Sequence, residues 1–270
     1  MPHTRSIAVS QTVPVRGDVD ANVAQHLQLV DAAARERAGV LVFPELSLTG
    51  YELDLAQELA FSEDDPRLVP LVEAAAANVM TLIVGAPVRI ESRLHIGAFI
   101  LTPDGGIDLY TKHRLGAFAP SACCDGVVPP AEATVFQPGD CNPLVQVGER
   151  LAAVAICADT GRPSHPQAAA GRGATAYLAS MFVIPSEFER ETANLRAYAA
   201  RHSMVVAFAN YGGPTGGLAS AGRSAIWNER GEMVVQLGGI GAAVVVGISE
   251  ERGWQRGTVI TCQSDTGRPA

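Results

Sequence analysis

An α/β fold built from helix-covered sheets is what this sequence predicts, on three observations. Short apolar runs alternate with amphipathic stretches along most of the chain. Some of those runs are joined through helices and others by tight turns, so parallel strands and antiparallel hairpins are mixed. The 270 residues are 47% hydrophobic and 18% charged, enough apolar material for one large core. With no linker composition in between, a single domain over 1–270 is expected, its core over about 6–249 and a polar tail over 250–270.

Taken in order, Ser6 to Ser10 reads as a short strand. A polar stretch with Pro14, Gly17, Asp18 and Asp20 follows, and an aspartate there is placed to cap the next helix. Val23, Leu27, Val30 and Ala34 recur at helical spacing, and Gly39 stands where a helix commonly stops, just before the buried strand Val40-Leu41-Val42-Phe43. A helix around Leu71 to Val79 leads to a strand at Thr81 to Val84, then to a hairpin turned by Pro103-Asp104-Gly105-Gly106. In the second half, strands are expected at Leu151 to Ile156, Thr175 to Ala179, Met204 to Ala209 and Ser224 to Trp227. Helices are expected at Pro166 to Arg172 and along the stripe Phe188, Thr192, Leu195 and Ala199, and the tail from Glu251 reads as polar and extended.

A formal charge of -8 and the lack of any Lys/Arg-rich run leave little basic surface for a phosphate backbone, so no nucleic-acid partner is expected. No apolar segment is long enough to span a bilayer, so no membrane partner and a cytoplasmic location are expected. The five cysteines, Cys123, Cys124, Cys141, Cys157 and Cys262, lack zinc-site pairing and a histidine cluster. Free thiols, with neither a disulfide framework nor a metal, are the expectation.

Polar residues at the carboxyl ends of buried strands face the crevice where α/β proteins place ligands. Three such ends stand out. Glu45 follows the apolar run in Phe43-Pro44-Glu45, where burial raises a carboxylate pKa and makes it a base. For an isolated Pro-Glu, a helix cap or a structural salt bridge is the commoner role. Lys112, in Tyr110-Thr111-Lys112-His113-Arg114, offers an ammonium to a developing oxyanion, although most lysines are solvated surface charges. Cys157 ends the run Val154-Ala155-Ile156, where a helix close behind it and a nearby lysine are expected to lower its pKa. A lone cysteine at such a place is more often a small buried hydrophobe. The set of three shifts that balance.

In this order and context the residues resemble the nitrilase superfamily of carbon-nitrogen hydrolases, which carry a Glu, a Lys and a Cys at successive strand ends. Phe43-Pro44-Glu45 with Gly50-Tyr51 resembles the glutamate motif, Tyr110-Thr111-Lys112 the lysine motif, and Ile156-Cys157-Ala158-Asp159 with Pro163 the cysteine motif. Glu132 stands before Phe136-Gln137-Pro138-Gly139-Asp140 as the family's second glutamate does. The resemblance implies an α-β-β-α sandwich that pairs into a homodimer or larger homo-oligomer. It implies no metal and no organic cofactor, and a small-molecule amide or N-carbamoyl substrate cleaved through a thioester on Cys157. Glu45 would be the base, Lys112 and the Ala158 amide the oxyanion donors, and Glu132 a positioning group. Tyr51 and Met181 lie on segments expected to approach the pocket. Nitrile hydrolysis or acyl transfer at the same site, or a non-catalytic binding role, are the alternatives. Ala158 stands where an aromatic residue is common, which leans toward an amidase. Arg114, Ser164 and His165 also depart from the pattern, leaving Arg114 or His165 as readers of an anionic substrate group. The Ser121-Ala122-Cys123-Cys124-Asp125-Gly126 loop is a candidate for the entrance.

Overall fold

The computed structural model describes residues 6–119, 128–250, 253–255 and 257–261. The expected loop with Cys123 and Cys124 lies outside them. In chain order, β1 (Ile7–Gln11) leads through α1 (Val19–Arg35) to β2 (Val40–Val42), then α2 (Ala56–Leu59) and α3 (Val69–Asn78). Next come β3 (Thr81–Ile90), β4 (Arg93–Leu101) and β5 (Ile107–Thr111). The second half runs β6 (Leu144–Val147), β7 (Arg150–Ile156), α4 (Ser164–Gly171), β8 (Ala176–Ser180), α5 (Phe188–His202), β9 (Val205–Ala209), β10 (Ala225–Trp227) and β11 (Met233–Gln236). β12 (Ala243–Glu250), β13 (Gly253–Gln255) and β14 (Val259–Thr261) close the sequence of elements.

Two sheets result. One has the order β13-β12-β1-β2-β3-β4-β5, with β14 also on β12; the other has the order β11-β10-β9-β8-β7-β6. Each has a parallel centre, β1-β2-β3 in the first and β7-β8-β9 in the second, flanked by antiparallel strands. Side chains alternate across the sheets with the two-residue period of a strand. Val40 and Val42 enter the core between the sheets while Leu41 and Phe43 pack outward under α1 and α3. In β7, Ala152, Val154 and Ile156 face the first sheet and Ala153 and Ala155 face α4 and α5. Both faces of both sheets are therefore apolar, and the layers stack as an α-β-β-α sandwich. The expected inner stripe of α5, Phe188, Thr192, Leu195 and Ala199, is buried.

Three boundaries differ from expectation. α1 stops at Arg35 rather than at Gly39, because Arg37 takes a left-handed φ of 55° and the Gly39 amide already bonds to Ser6 O. The chain must turn that early to lay β2 beside β1. β3 runs on to Ile90 because it forms a long hairpin with β4. The tail is not uniformly outside the core structure: residues 253–255 and 259–261 add to the edge of β12 that faces away from β1, satisfying backbone groups an open edge leaves unpaired. Among the described residues, no helix is long and apolar enough to cross a membrane.

Candidate active site

Glu45 sits just past β2, in a tight turn in which Leu46 has a left-handed φ of 54°. The turn lies directly on Gly85 of β3. A Cβ there would meet Leu46 N at 2.4 Å and Pro44 O at 2.6 Å, so only glycine lets the Glu45 backbone approach. Ser47 ties the turn down further, accepting from the Gly85 amide at 3.3 Å and pairing with the buried His26 ring at 2.9 Å. Tyr211 donates its hydroxyl proton to the Glu45 carbonyl.

Lys112 follows β5 and is held through its backbone, with its amide donating to Ile96 O and its carbonyl accepting from Gly139 N, each at 2.8 Å. Its ammonium donates to Glu45 Oε1 at 2.6 Å and to Glu132 Oε1 at 2.7 Å, with both lysine and Glu45 fully buried. Glu132, in the short turn Glu132–Thr134, also accepts from Tyr51 OH at 2.8 Å and from Gly116 N at 2.7 Å. One ammonium thus stands between two carboxyl groups, which outnumber it. The second Glu45 oxygen, Oε2, is buried and has no hydrogen-bond partner among the described residues.

Cys157 ends β7 on a turn, Cys157–Asp159, with φ at +41°, a conformation that costs a non-glycine residue about 1–3 kcal/mol and recurs at functional sites. Its Sγ lies 3.6 Å from Phe182 O. The half-buried thiol opens onto a cavity of about 270 Å³. Tyr51, Phe118 and Phe182 pack against one another around it, with ring centroids 5.1–5.7 Å apart. Met181, Ala158 and Glu132 also line it, and Arg114 stands at its exposed side. Glu45, Lys112, Cys157, Glu132, Tyr51, Ala158 and Met181 all lie in this cluster or on this cavity.

The electrostatics follow from burial and from that charge count. Burial pushes Glu45 up to about 7, with Lys112 holding it down and Glu132 pushing it further up. For Lys112, burial favours the neutral form but Glu45 and Glu132 together outweigh it, so the ammonium is raised and stays charged. Cys157 runs against the expectation of a lowered pKa. Burial, with Glu45 adding to it, raises the thiol well above its ordinary value, and Lys112 offsets only part of this. The reasons are spatial: Lys112 is already engaged by two carboxylates, and α4 begins only at Ser164. The resting pair is a neutral thiol beside a carboxylate that titrates near neutrality. Such a pair is suited to passing a proton from thiol to carboxylate during a reaction rather than to storing a thiolate.

His165, a candidate reader of an anion, is engaged elsewhere: it bonds to Tyr110 OH at 3.0 Å and to Tyr177 OH at 2.8 Å. Arg114 keeps the exposed position that such a role needs. Sequence reasoning gave no role to Phe118 or Tyr110; the signal available for Tyr110 was its i, i+2 relation to Lys112, the spacing at which side chains of an extended chain share one face. Among the described residues, no three His, Cys, Asp or Glu side chains gather as a metal site.

A family model described as carbon-nitrogen hydrolase matches residues 6–255. Among curated proteins, the glutamine-dependent NAD(+) synthetase of Mycobacterium leprae (strain TN) is 28% identical over 240 residues, covering 82% of this chain and 35% of the synthetase. The chain thus spans about a third of the length of the relatives it matches first. A protein described as hydrolase in pqqF 5'region, from Pseudomonas protegens, is 27% identical over 251 residues, 90% of this chain and 82% of that one. Among solved structures, a mutant of the Nesterenkonia AN1 amidase from the nitrilase superfamily superposes with a TM-score of 0.78 at 24% identity, covering 91% of each chain. That likeness is one of fold.

Proposed function

The chain belongs to the carbon-nitrogen hydrolase family, and from that membership we propose that it hydrolyses a small amide or N-carbamoyl compound through a thioester on Cys157. The observation that carries the reading is the buried Glu45, Lys112 and Glu132 cluster set against a strained cysteine that faces a small cavity. Glu45 accepts the thiol proton through a carboxylate that titrates at about 7, and Sγ attacks the carbonyl carbon. Lys112 and the Ala158 amide stabilise the oxyanion. The protonated Glu45 returns its proton to the leaving nitrogen, ammonia or an amine departs, and the same carboxylate then activates water against the thioester. Glu132 holds the Lys112 ammonium throughout and is not consumed. The 270 Å³ cavity and its aromatic wall fit a small acyl group with an apolar face.

The test is ammonia release from a panel of short aliphatic amides, glutamine, N-carbamoyl amino acids and nitriles, with Cys157→Ala in parallel. Glutamine is included because the named relatives are glutamine-dependent. Release from amides that vanishes in Cys157→Ala supports the reading, and a preference for nitriles or release that survives the substitution overturns it. We also propose that two or more copies associate, which light scattering of the purified chain decides.

A further inference from the structure

One buried carboxylate next to the site has no role in the steps above. Asp159 is 1% exposed and makes no ion pair among the described residues. Its oxygens accept three hydrogen bonds instead. Oδ1 takes the Arg114 amide at 2.8 Å, and Oδ2 takes Tyr110 OH at 2.7 Å and the Ile156 amide at 3.1 Å. The Ile156 bond reaches back across Cys157 and closes the turn that holds its left-handed φ. The Arg114 and Tyr110 bonds grip the chain two residues after and two residues before Lys112. β5 and β7 belong to different sheets. A single carboxylate therefore ties the lysine segment of one sheet to the cysteine turn of the other.

The orientation of Asp159 is itself set by a directional chain of protons. Tyr110 has one hydroxyl proton and gives it to Asp159, so its oxygen accepts from His165 Nε2 at 3.0 Å. That places the His165 proton on Nε2 and leaves Nδ1 to accept from Tyr177 OH at 2.8 Å. Tyr177, His165 and Tyr110 thus donate in series toward one acceptor. His113 stacks on the Tyr110 ring at 5.3 Å and 7° and closes the other side.

We infer that Asp159 is a positioning residue that fixes the placement of Cys157 relative to Lys112, with Tyr110 and His165 locking its orientation. The inference rests on the roles proposed above for Lys112 and Cys157. Misplacing reacting groups by an ångström costs about 10²-fold in turnover without weakening substrate contacts. Asp159→Asn keeps the shape, yet whichever way the amide turns, one of its N–H groups meets a backbone N–H.

The experiment measures kcat and KM on the best amide of the panel, together with the rate of Cys157 alkylation by iodoacetamide, for wild type, Asp159→Asn and Tyr110→Phe. Folding is verified for each by circular dichroism. Expected for Asp159→Asn is a kcat lower by about 10²-fold, KM within about threefold and alkylation slowed by about tenfold or more. Tyr110→Phe, which removes one donor and breaks the series from His165, should show the same split at about tenfold. A folded Asp159→Asn protein with kcat and alkylation within about threefold of wild type overturns the inference, as does a rise in KM at unchanged kcat. If Asp159→Asn does not fold, Tyr110→Phe decides by the same criteria. Alkylation needs no substrate, so wild-type silence on the panel counts against the amidase reading while the alkylation rates still decide the positioning role.

Discussion

Replacing Glu45 by glutamine should cut turnover sharply and, at alkaline pH, make the protein more stable. The carboxylate titrates at about 7 in the folded chain against an ordinary 4.5, chiefly because it is buried. Between those two values the folded chain holds a proton that the unfolded chain has released, so stability falls as pH rises through that window. The gap corresponds to about 3 kcal/mol, which wild type gives up between roughly pH 4.5 and 7. The glutamine amide of the variant does not titrate, and its Oε1 still accepts from Lys112, which keeps Glu132 as its charged partner. The stability difference between variant and wild type should therefore grow from near zero at about pH 4.5 to about 3 kcal/mol at about pH 8. For a chain of this length that is a rise of about 5 °C in Tm. His26, which burial lowers to about 4, loses stability as pH falls below its ordinary 6.5, but equally in both proteins, and cancels from the difference. Guanidinium unfolding at half-unit steps of pH measures it, alongside ammonia release, which should fall by about 10²–10⁴ with the loss of the base. Parallel stability curves for the two proteins would refute the argument that burial of this carboxylate is a cost the fold bears for chemistry.

Three other outcomes follow from the same geometry. Lys112→Met leaves two buried carboxylates without their cation, so amide hydrolysis should fall by at least about 10²-fold and denaturant unfolding should show a loss of about 3–5 kcal/mol. For wild type, kcat/KM should fall as pH drops below about 7, where Glu45 gains a proton and cannot accept another; a pH–rate profile flat from 5 to 8 would contradict that. Gly85→Ala drives a methyl into Leu46 N and Pro44 O, neither of which can swing aside. It should cost about 1–3 kcal/mol by thermal unfolding and lower kcat by displacing Glu45.

Much of the layer structure was readable before any coordinates. Val40 to Phe43 and Val154 to Ile156 are apolar runs buried on both faces, a pattern that depends only on local sequence, and the polar residue ending each run sits where the strand leaves the sheet. Glu45 and Cys157 stand out for that reason, Lys112 follows a half-exposed hairpin strand, and the three became candidates as a set through their resemblance to a known family. The end of α1 could not, because Arg37 rather than Gly39 takes the left-handed position under the pull of strand pairing. Nor could the pairing of residues 253–255 and 259–261 with β12, since strands of three residues are stabilised by the edge they find rather than by their own pattern.

The sequence by itself marked which polar side chains stand at which strand ends, because periodicity and strand boundaries are local properties of the chain, and the resemblance made that set the candidates. Only the tertiary structure decided their charge states and their registry. The direction of the Cys157 pKa turned on burial and on two carboxylates competing for one lysine, and the bonds that join Lys112 to Cys157 through Asp159 span 45 and 49 residues between two sheets. Desolvation and contacts across sheets exist only once the sheets have stacked.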